Sequence, residues 1–348
     1  MKKVFFMSFL FFFLFSISII SSLFYWLNSS PYRIEKAIYE VKEGSSLSKI
    51  AYELSREKII QWPKIFIFYA KLKGEAGSIQ AGTYEFEPHL KPKQILDKMV
   101  NGDVLLTTIT IAEGLNIWQI AEKLTAAFPN IPGSVWLPYM KSKHLIAKLE
   151  FQESLDSLEG FLFPNTYHIN PSATPDVILT QMINEFKKHF KKELIESGKN
   201  YNLTALQVVT LASLIEKETA LAVERSHVSA VYLNRLRIGM RLQADPTVIY
   251  GMWPTYTGKI SKKDLQSPHL YNTYVHLGMP PGPICSPGQA SLEAAVNPLK
   301  TSDLYFVAKG DGSHFFSANL ADHNKAVQEY ISFLRQEKNI KNDMGTTH

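Results

Sequence analysis

The sequence predicts an α+β protein in three parts: an N-terminal transmembrane helix, a small α+β module and a larger mixed α+β domain. Three observations predict it. An uncharged run rich in Phe, Leu and Ile fills Val4 to Leu27. No second run of that length follows. Behind it, short stretches of period-two alternation take turns with apolar residues at helical spacing, separated by Gly, Pro and Asn. At 348 residues the chain has room for one large domain and a small one.

Residues 1–28 read as a cytoplasmic tip and membrane anchor. At about 1.5 Å per residue, Val4 to Leu27 crosses a hydrocarbon core of roughly 30 Å. Lys2 and Lys3 precede the run, which orients the N-terminus to the cytoplasm, and Tyr25 and Trp26 suit an interfacial anchor. The rival reading is a cleaved signal peptide. That needs a shorter apolar core and a small-x-small site, and nothing clear follows Ser21 and Ser22. The expectation is a single-pass protein of the cytoplasmic (inner) membrane, touching lipid through residues 4–27, with everything after Asn28 outside the cytoplasm.

Composition narrows the rest. The formal net charge of +5 comes without the dense basic stripe of a nucleic-acid binder, so no nucleic-acid partner is expected. Cys285 is the lone cysteine; no intrachain disulfide is possible, and it reads as a small buried apolar residue.

Residues 29–38 read as a linker and 39–104 as the small module. Ala37 to Val41 alternates like a strand, and Glu43-Gly44 is a turn. Ser45 or Ser46 can cap a helix carrying Leu47, Ile50, Ala51 and Leu54 at helical spacing. A second helix covers Pro63 to Leu72. A turn and strand come next, from Ala81 to Phe86, then a helix from Pro92 to Met99 that ends near Asn101-Gly102. The order strand, Glu-Gly-Ser-Ser-Leu, amphipathic helix resembles the opening of a LysM-type glycan-binding module. The alternative is a small α+β domain that only positions the larger one.

Residues 105–338 read as the larger domain and 339–348 as a polar tail, with fraying from Arg335 onward. The domain opens with a strand from Leu105 to Ile111, a Glu113-Gly114 turn and a helix from Ile117 to Ala126. Residues 130–157 carry no clear pattern. Leu158 to Tyr167 is aromatic and turn-rich, either a loop or a short strand pair. Helices follow at about 175–197 and 204–218.

The second of these helices carries the chemistry. Thr204 is a plausible N-cap, and apolar residues crowd the interior, as in a buried helix. Two acids close it, Glu216 and Glu218. Successive positions turn by about 100°, so Glu218 continues the stripe of Leu211, Leu214 and Ile215 while Glu216 lies about 200° away. A carboxyl held against apolar surface has a raised pKa, which suits a general acid near neutral pH. The negative end of the helix dipole pushes the same way. The alternative is that both acids are solvated, or that Glu216 pairs with Lys217 or Arg225. Downstream, Asn234 to Gly251, Tyr271-Asn272-Thr273-Tyr274 and Gly278 to Gly288 are rich in Pro, Gly, Asn and Tyr. Such segments suit a sugar-binding cleft, where rings stack and amides bond, although ordinary loops share the composition.

These blocks, with Leu211 to Thr219, Leu304 to Ala308 and His314 to Asn324, closely resemble the endolytic murein transglycosylase family, YceG-like. Arg241-Leu242-Gln243 with Asp245-Pro246-Thr247-Val248 and Tyr250-Gly251 is the most specific stretch. Leu158 to Tyr167 also fits, with Asn165 where the family usually has Asp. The resemblance implies a carbon–oxygen lyase that cleaves the β-1,4 bond between N-acetylmuramic acid and N-acetylglucosamine, leaving a 1,6-anhydro end. It implies Glu218 as the catalytic residue, peptidoglycan glycan strands as substrate, nascent strands whose length the enzyme sets, and peptidoglycan synthases as partners. Gln243, Asp245, Thr247, Tyr250, Tyr271, Asn272 and Tyr274 are the expected substrate contacts; Asp245 is also the best candidate for a second carboxyl, or a cap before Pro246. No cofactor and no metal are expected. The ten histidines are scattered without an H-x-x-x-H or H-E-x-x-H spacing, and His314 and His323 are assigned no metal. The alternatives are a non-catalytic wall-binding scaffold and a lysozyme-like hydrolase.

Overall fold

The computed structural model describes residues 2–29 and 35–345, which fall into two compact units of mixed α+β structure. Residues 30–34 of the expected linker and 346–348 of the expected tail lie outside the described residues.

One unit comprises Met1–Thr108 with His168–Ala173. Its first helix, α1 (Lys2–Asn28), contains the one stretch among the described residues long and apolar enough to cross a membrane, Phe9–Asn28. Strand β1 (Ala37–Val41) pairs antiparallel with β2 (Gly82–Phe86), Ala37 opposite Phe86 and Val41 opposite Gly82. Between them lie α2 (Leu47–Arg56), capped by Ser46, and α3 (Pro63–Leu72); α4 (Pro92–Asn101) comes after β2 and ends at Gly102 in the left-handed region, φ +73°. The alternation of β1 drives Ala37, Tyr39 and Val41 inward onto Ile50, Leu54, Phe66, Tyr84 and Leu96. Trp26 joins this core, with Leu23 and Leu27 packed against it, while Tyr25 is exposed. The expectation pairs Tyr25 and Trp26 as interfacial aromatics, but Trp26 is buried, because one helical step of about 100° separates an exposed ring from a protein-facing one.

The other unit comprises Ile109–Tyr167 and Thr174–His348. The unit boundaries fall within β3 (Thr107–Ile111) and β4 (Asn165–Ile169), which pair with each other. So the end of the aromatic Leu158–Tyr167 stretch is a strand. Helix α5 (Ile117–Ala127) starts on a reciprocal cap between Asn116 and Gln119. The patternless region holds the short helices α6 (Trp136–Met140) and α7 (Lys143–Ala147). The helix expected at 175–197 is two, α8 (Pro175–His189) and α9 (Lys192–Lys199), because the chain leaves helical geometry at Phe190, whose ring stacks on Phe151 and Phe186.

Next come α10 (Ala205–Glu218), α11 (Arg225–Arg237), α12 (Asp245–Met252) and α13 (Gln289–Val296). The antiparallel pair β5 (Tyr305–Ala308) and β6 (His314–Ser317) precedes α14 (Leu320–Gly345). That last helix takes in most of the stretch read as a frayed tail. Helix α10 is the centre of this unit, packed by α13 and α11, with every residue from Val208 to Ile215 buried. Each aliphatic side chain so buried contributes about 1.5–3 kcal/mol, which fixes where the helix ends.

Candidate functional site

Helix α10 begins on a capping box: the Gln207 N–H donates to Thr204 Oγ1 (3.3 Å) and the Thr204 N–H to Gln207 Oε1 (2.9 Å). It ends on two acids with opposite surroundings. Glu216 accepts the Gly288 N–H at 3.0 Å and lies 3.7 Å from the Arg225 guanidinium. The paired alternative is therefore realised for Glu216, with Arg225 as its partner. Lys217 donates instead to the Gly114 carbonyl at 3.2 Å.

Glu218 meets no cation at ion-pairing distance among the described residues; its Oε1 accepts the Tyr232 hydroxyl at 2.5 Å. Tyr232 comes from α11 and is itself buried. Part of the Glu218 side chain stays open to solvent, yet its carboxyl is enclosed by protein. Desolvation pushes that carboxyl up and the charge of Asp245 adds to the rise; the Tyr232 hydrogen bond, His314 and Arg235 oppose it, and it settles at about 7. A group at that value holds a proton at neutral pH and can release it, as a general acid and base must.

The rim of this carboxyl is braced on both sides. Thr219 Oγ1 donates to Glu224 Oε2 at 3.1 Å, and Glu224 also accepts the His314 N–H (2.8 Å) and ring nitrogen Nδ1 (2.7 Å). Burial works to raise the Glu224 carboxyl, but the His314 bonds and Thr219 hold it below the ordinary value. On the other side Arg235, one helical turn from Tyr232, is buried and donates to the carbonyls of Leu304 (2.6 Å) and Leu242 (2.7 Å), fixing the segment that leads into Asp245. Neither Glu224 nor Arg235 stood out in the sequence, since their partners lie up to 90 residues away.

The structure divides the expected substrate contacts into three groups. Asp245 and Tyr274 meet, the hydroxyl donating to the carboxylate at 2.6 Å, and Asp245 lies close enough to act on the Glu218 charge. Gln243 is exposed beside them with φ +49°, a left-handed conformation that costs a non-glycine residue about 1–3 kcal/mol and often marks a functional position. Tyr250 and Tyr271 pack on one another, ring centres 4.6 Å apart, at the far end of α12. Thr247 and Asn272 are buried and have other tasks. The Thr247 hydroxyl donates to the Ala244 carbonyl at 2.7 Å. The Asn272 amide donates to the carbonyls of Ser267 (2.8 Å) and Leu265 (3.1 Å), and its Oδ1 accepts the Tyr274 N–H at 2.9 Å. Loops without ladders must satisfy their own backbone, and these two residues do it. Pro283 to Gly288 is likewise turned inward: the Ile284 N–H donates to Ser213 Oγ (3.1 Å) on α10, and Cys285 is fully buried, its thiol pushed up by burial.

Sequence reading also passed over Glu159. It is 3% exposed, accepts the Ile117 N–H at 3.1 Å, and burial pushes its carboxyl up to about 8. An acid inside an irregular, aromatic-rich stretch gives no periodic signal of burial. Among the described residues no three His, Cys, Asp or Glu side chains gather as a metal site.

Fold and site define a class: a mixed α+β protein built round one desolvated carboxyl at the end of a buried helix. Residues 39–329 match the YceG-like family, and the chain belongs to that family. A Bacillus subtilis protein named endolytic murein transglycosylase is 35% identical over 315 residues, 84% of either chain. A Streptococcus pneumoniae protein of the same name is 30% identical over 327 residues; the match covers 84% of this chain and 58% of that one. A crystal structure of a YceG-like protein from Listeria monocytogenes has a TM-score of 0.58 at 33% identity, covering 84% of this chain and 99% of the other.

Proposed function

We propose that this chain is a membrane-anchored peptidoglycan lytic transglycosylase with Glu218 as its acid and base. The observation that carries the reading is the Glu218 carboxyl itself, desolvated, poised near neutrality and bonded by Tyr232. The names of the relatives supply the substrate class. With Oε1 engaged by Tyr232, Oε2 carries the proton. It protonates the glycosidic oxygen between N-acetylmuramic acid and N-acetylglucosamine, and the bond from that oxygen to C1 of the muramic residue breaks. The carboxylate left behind takes the proton from the same residue's C6 hydroxyl as the C6 oxygen bonds to C1. The products are a 1,6-anhydro end and a free 4-hydroxyl, with no water consumed. One carboxyl suffices, whereas a hydrolase uses two. Asp245, held by Tyr274, faces the positive charge that develops at C1, and Gln243 contacts the neighbouring sugar.

Around this core, α1 is the anchor of a single-pass inner-membrane protein whose N-terminus is cytoplasmic and whose residues 4–27 lie in lipid. The small unit is a LysM-like glycan holder, residues 105–338 form the catalytic domain, nascent strands are the substrate and their length the outcome, and peptidoglycan synthases are the partners. One observation favours a second reading, a lysozyme-like hydrolase: Asp245 supplies a second carboxyl near Glu218. Digesting purified sacculi and weighing the products decides between them. Anhydro ends from the native protein, lost in Glu218→Gln, are expected. Reducing ends would select the hydrolase, and no cleavage at all would leave a wall-binding scaffold.

A further inference from the structure

Beyond α12 a group of side chains inverts the usual order of burial. Trp118, Tyr250, Trp253 and Tyr271 are all only partly buried, while the acid among them, Glu159, is 3% exposed. An ordinary minor core would turn the rings inward and the carboxyl out. The indoles of Trp118 and Trp253 lie nearly parallel, 12° apart with ring centres 6.1 Å from each other. Tyr250 stands 5.4 Å from Trp118 and 4.6 Å from Tyr271. Glu159 ties the two sides together: its Oε2 accepts the N–H of Ile117, the residue before Trp118, and the Tyr250 hydroxyl approaches the same carboxyl. Its Oε1 is buried and has no hydrogen-bond partner among the described residues.

The path from the candidate acid to these rings is laid out by two segments. Asp245 bonds Tyr274 and Tyr250 packs on Tyr271, so the 271–274 loop runs antiparallel beside α12. Eight residues separate Asp245 from Trp253, about 12 Å at helical rise, which is the scale of a disaccharide. The geometry points to a second saccharide subsite, one disaccharide away from the scissile bond, in which Trp118 and Trp253 stack on the apolar face of an amino-sugar ring and Glu159 is the positioning residue that holds Trp118 and Tyr250 in register. This rests on the glycan-cleaving reading above. Flat indole faces match a pyranose, which offers C–H bonds on its faces.

The test uses the full-length protein in detergent and uncrosslinked glycan strands freed of peptide. In the Glu218→Gln background, Trp118→Ala and Trp253→Ala each weaken long-strand binding about tenfold. Disaccharide-length fragments lose much less. In the active protein the same loss falls on KM for long strands rather than on kcat. Trp118→Phe keeps a ring and holds affinity within about threefold. Glu159→Gln, which keeps the Ile117 bond, stays near the parent, whereas Glu159→Ala behaves like Trp118→Ala. A readout without any variant is protection of Trp118 and Trp253 from oxidation by N-bromosuccinimide, mapped by peptide mass. Saturating strands should shield both. Equal oxidation with and without strands, or unchanged long-strand affinity in both alanine variants, overturns the subsite. If strands bind and shield the indoles but are never cleaved, the subsite stands and the transglycosylase reading falls.

Discussion

Glu216 and Glu218 are two residues apart on one helix and share its dipole, yet they live in different chemistry. Glu216 sits between the start of α11 and the loop leading into α13, where the Arg225 guanidinium and the Gly288 N–H meet its charge. Glu218 faces α11, where a phenol is its only hydrogen-bond partner among the described residues and burial keeps its proton on. The lesson is that rotation about a buried helix, rather than residue type, separates an ion-paired carboxylate from a desolvated one.

The comparison can be broken most directly at Glu218. Glu218→Gln should lower the rate of glycan cleavage by about a thousandfold or more while the circular dichroism spectrum is unchanged; retained activity would sink the assignment. The same variant tests the proton. The folded carboxyl sits near 7 against an ordinary 4.5, so the folded state keeps a proton that the unfolded chain has lost between those values. Its contribution to stability therefore falls as pH rises from about 4.5 to 7, and the melting temperature of Glu218→Gln should gain on the native protein across that window. Cleavage itself should decline above pH about 7, as the acid form is depleted.

Glu216→Gln should do the reverse. Arg225 keeps only the more distant and more exposed Glu113, so stability should drop by about 2–3 kcal/mol in urea melts, with cleavage within a few-fold of native. An equal loss of activity in both variants would erase the distinction. Tyr232→Phe sharpens it: removing the donor that favours the Glu218 carboxylate should move the alkaline fall in cleavage to higher pH and slow turnover a few-fold, and an unmoved pH profile would deny the phenol its role. The smallest effect is at the other end of the helix, where Thr204→Ala removes the cap shared by both acids and should cost about 1 kcal/mol without moving the pH profile.

Local order was legible because it is written in neighbours. The cap at Thr204, the crowded interior of α10 and the divergence of its two acids all stem from spacing along one helix; α2 and α3 start where their Ser and Pro signals put them, and α4 ends at its Gly. Pairings across the chain were not legible. Tyr232 with Glu218, Tyr274 with Asp245 and His314 with Glu224 join segments 14, 29 and 90 residues apart. Thr247 and Asn272 looked like sugar contacts because a loop that binds a ligand and a loop that braces its own carbonyls use the same polar residues. Glu159 was hidden for the converse reason: nothing beside it in sequence reveals that an acid lies deeper than the rings near it.

The docking of Trp26 has a practical consequence. Its indole is 6% exposed, seated in the core that α2, α3 and α4 share. The final turn of the apolar helix is thus a structural member of the small unit. A soluble fragment trimmed just after Asn28 would carry an open, greasy socket in place of a lid. Trimming a few residues earlier, so that Leu23, Trp26 and Leu27 stay on, keeps that socket filled.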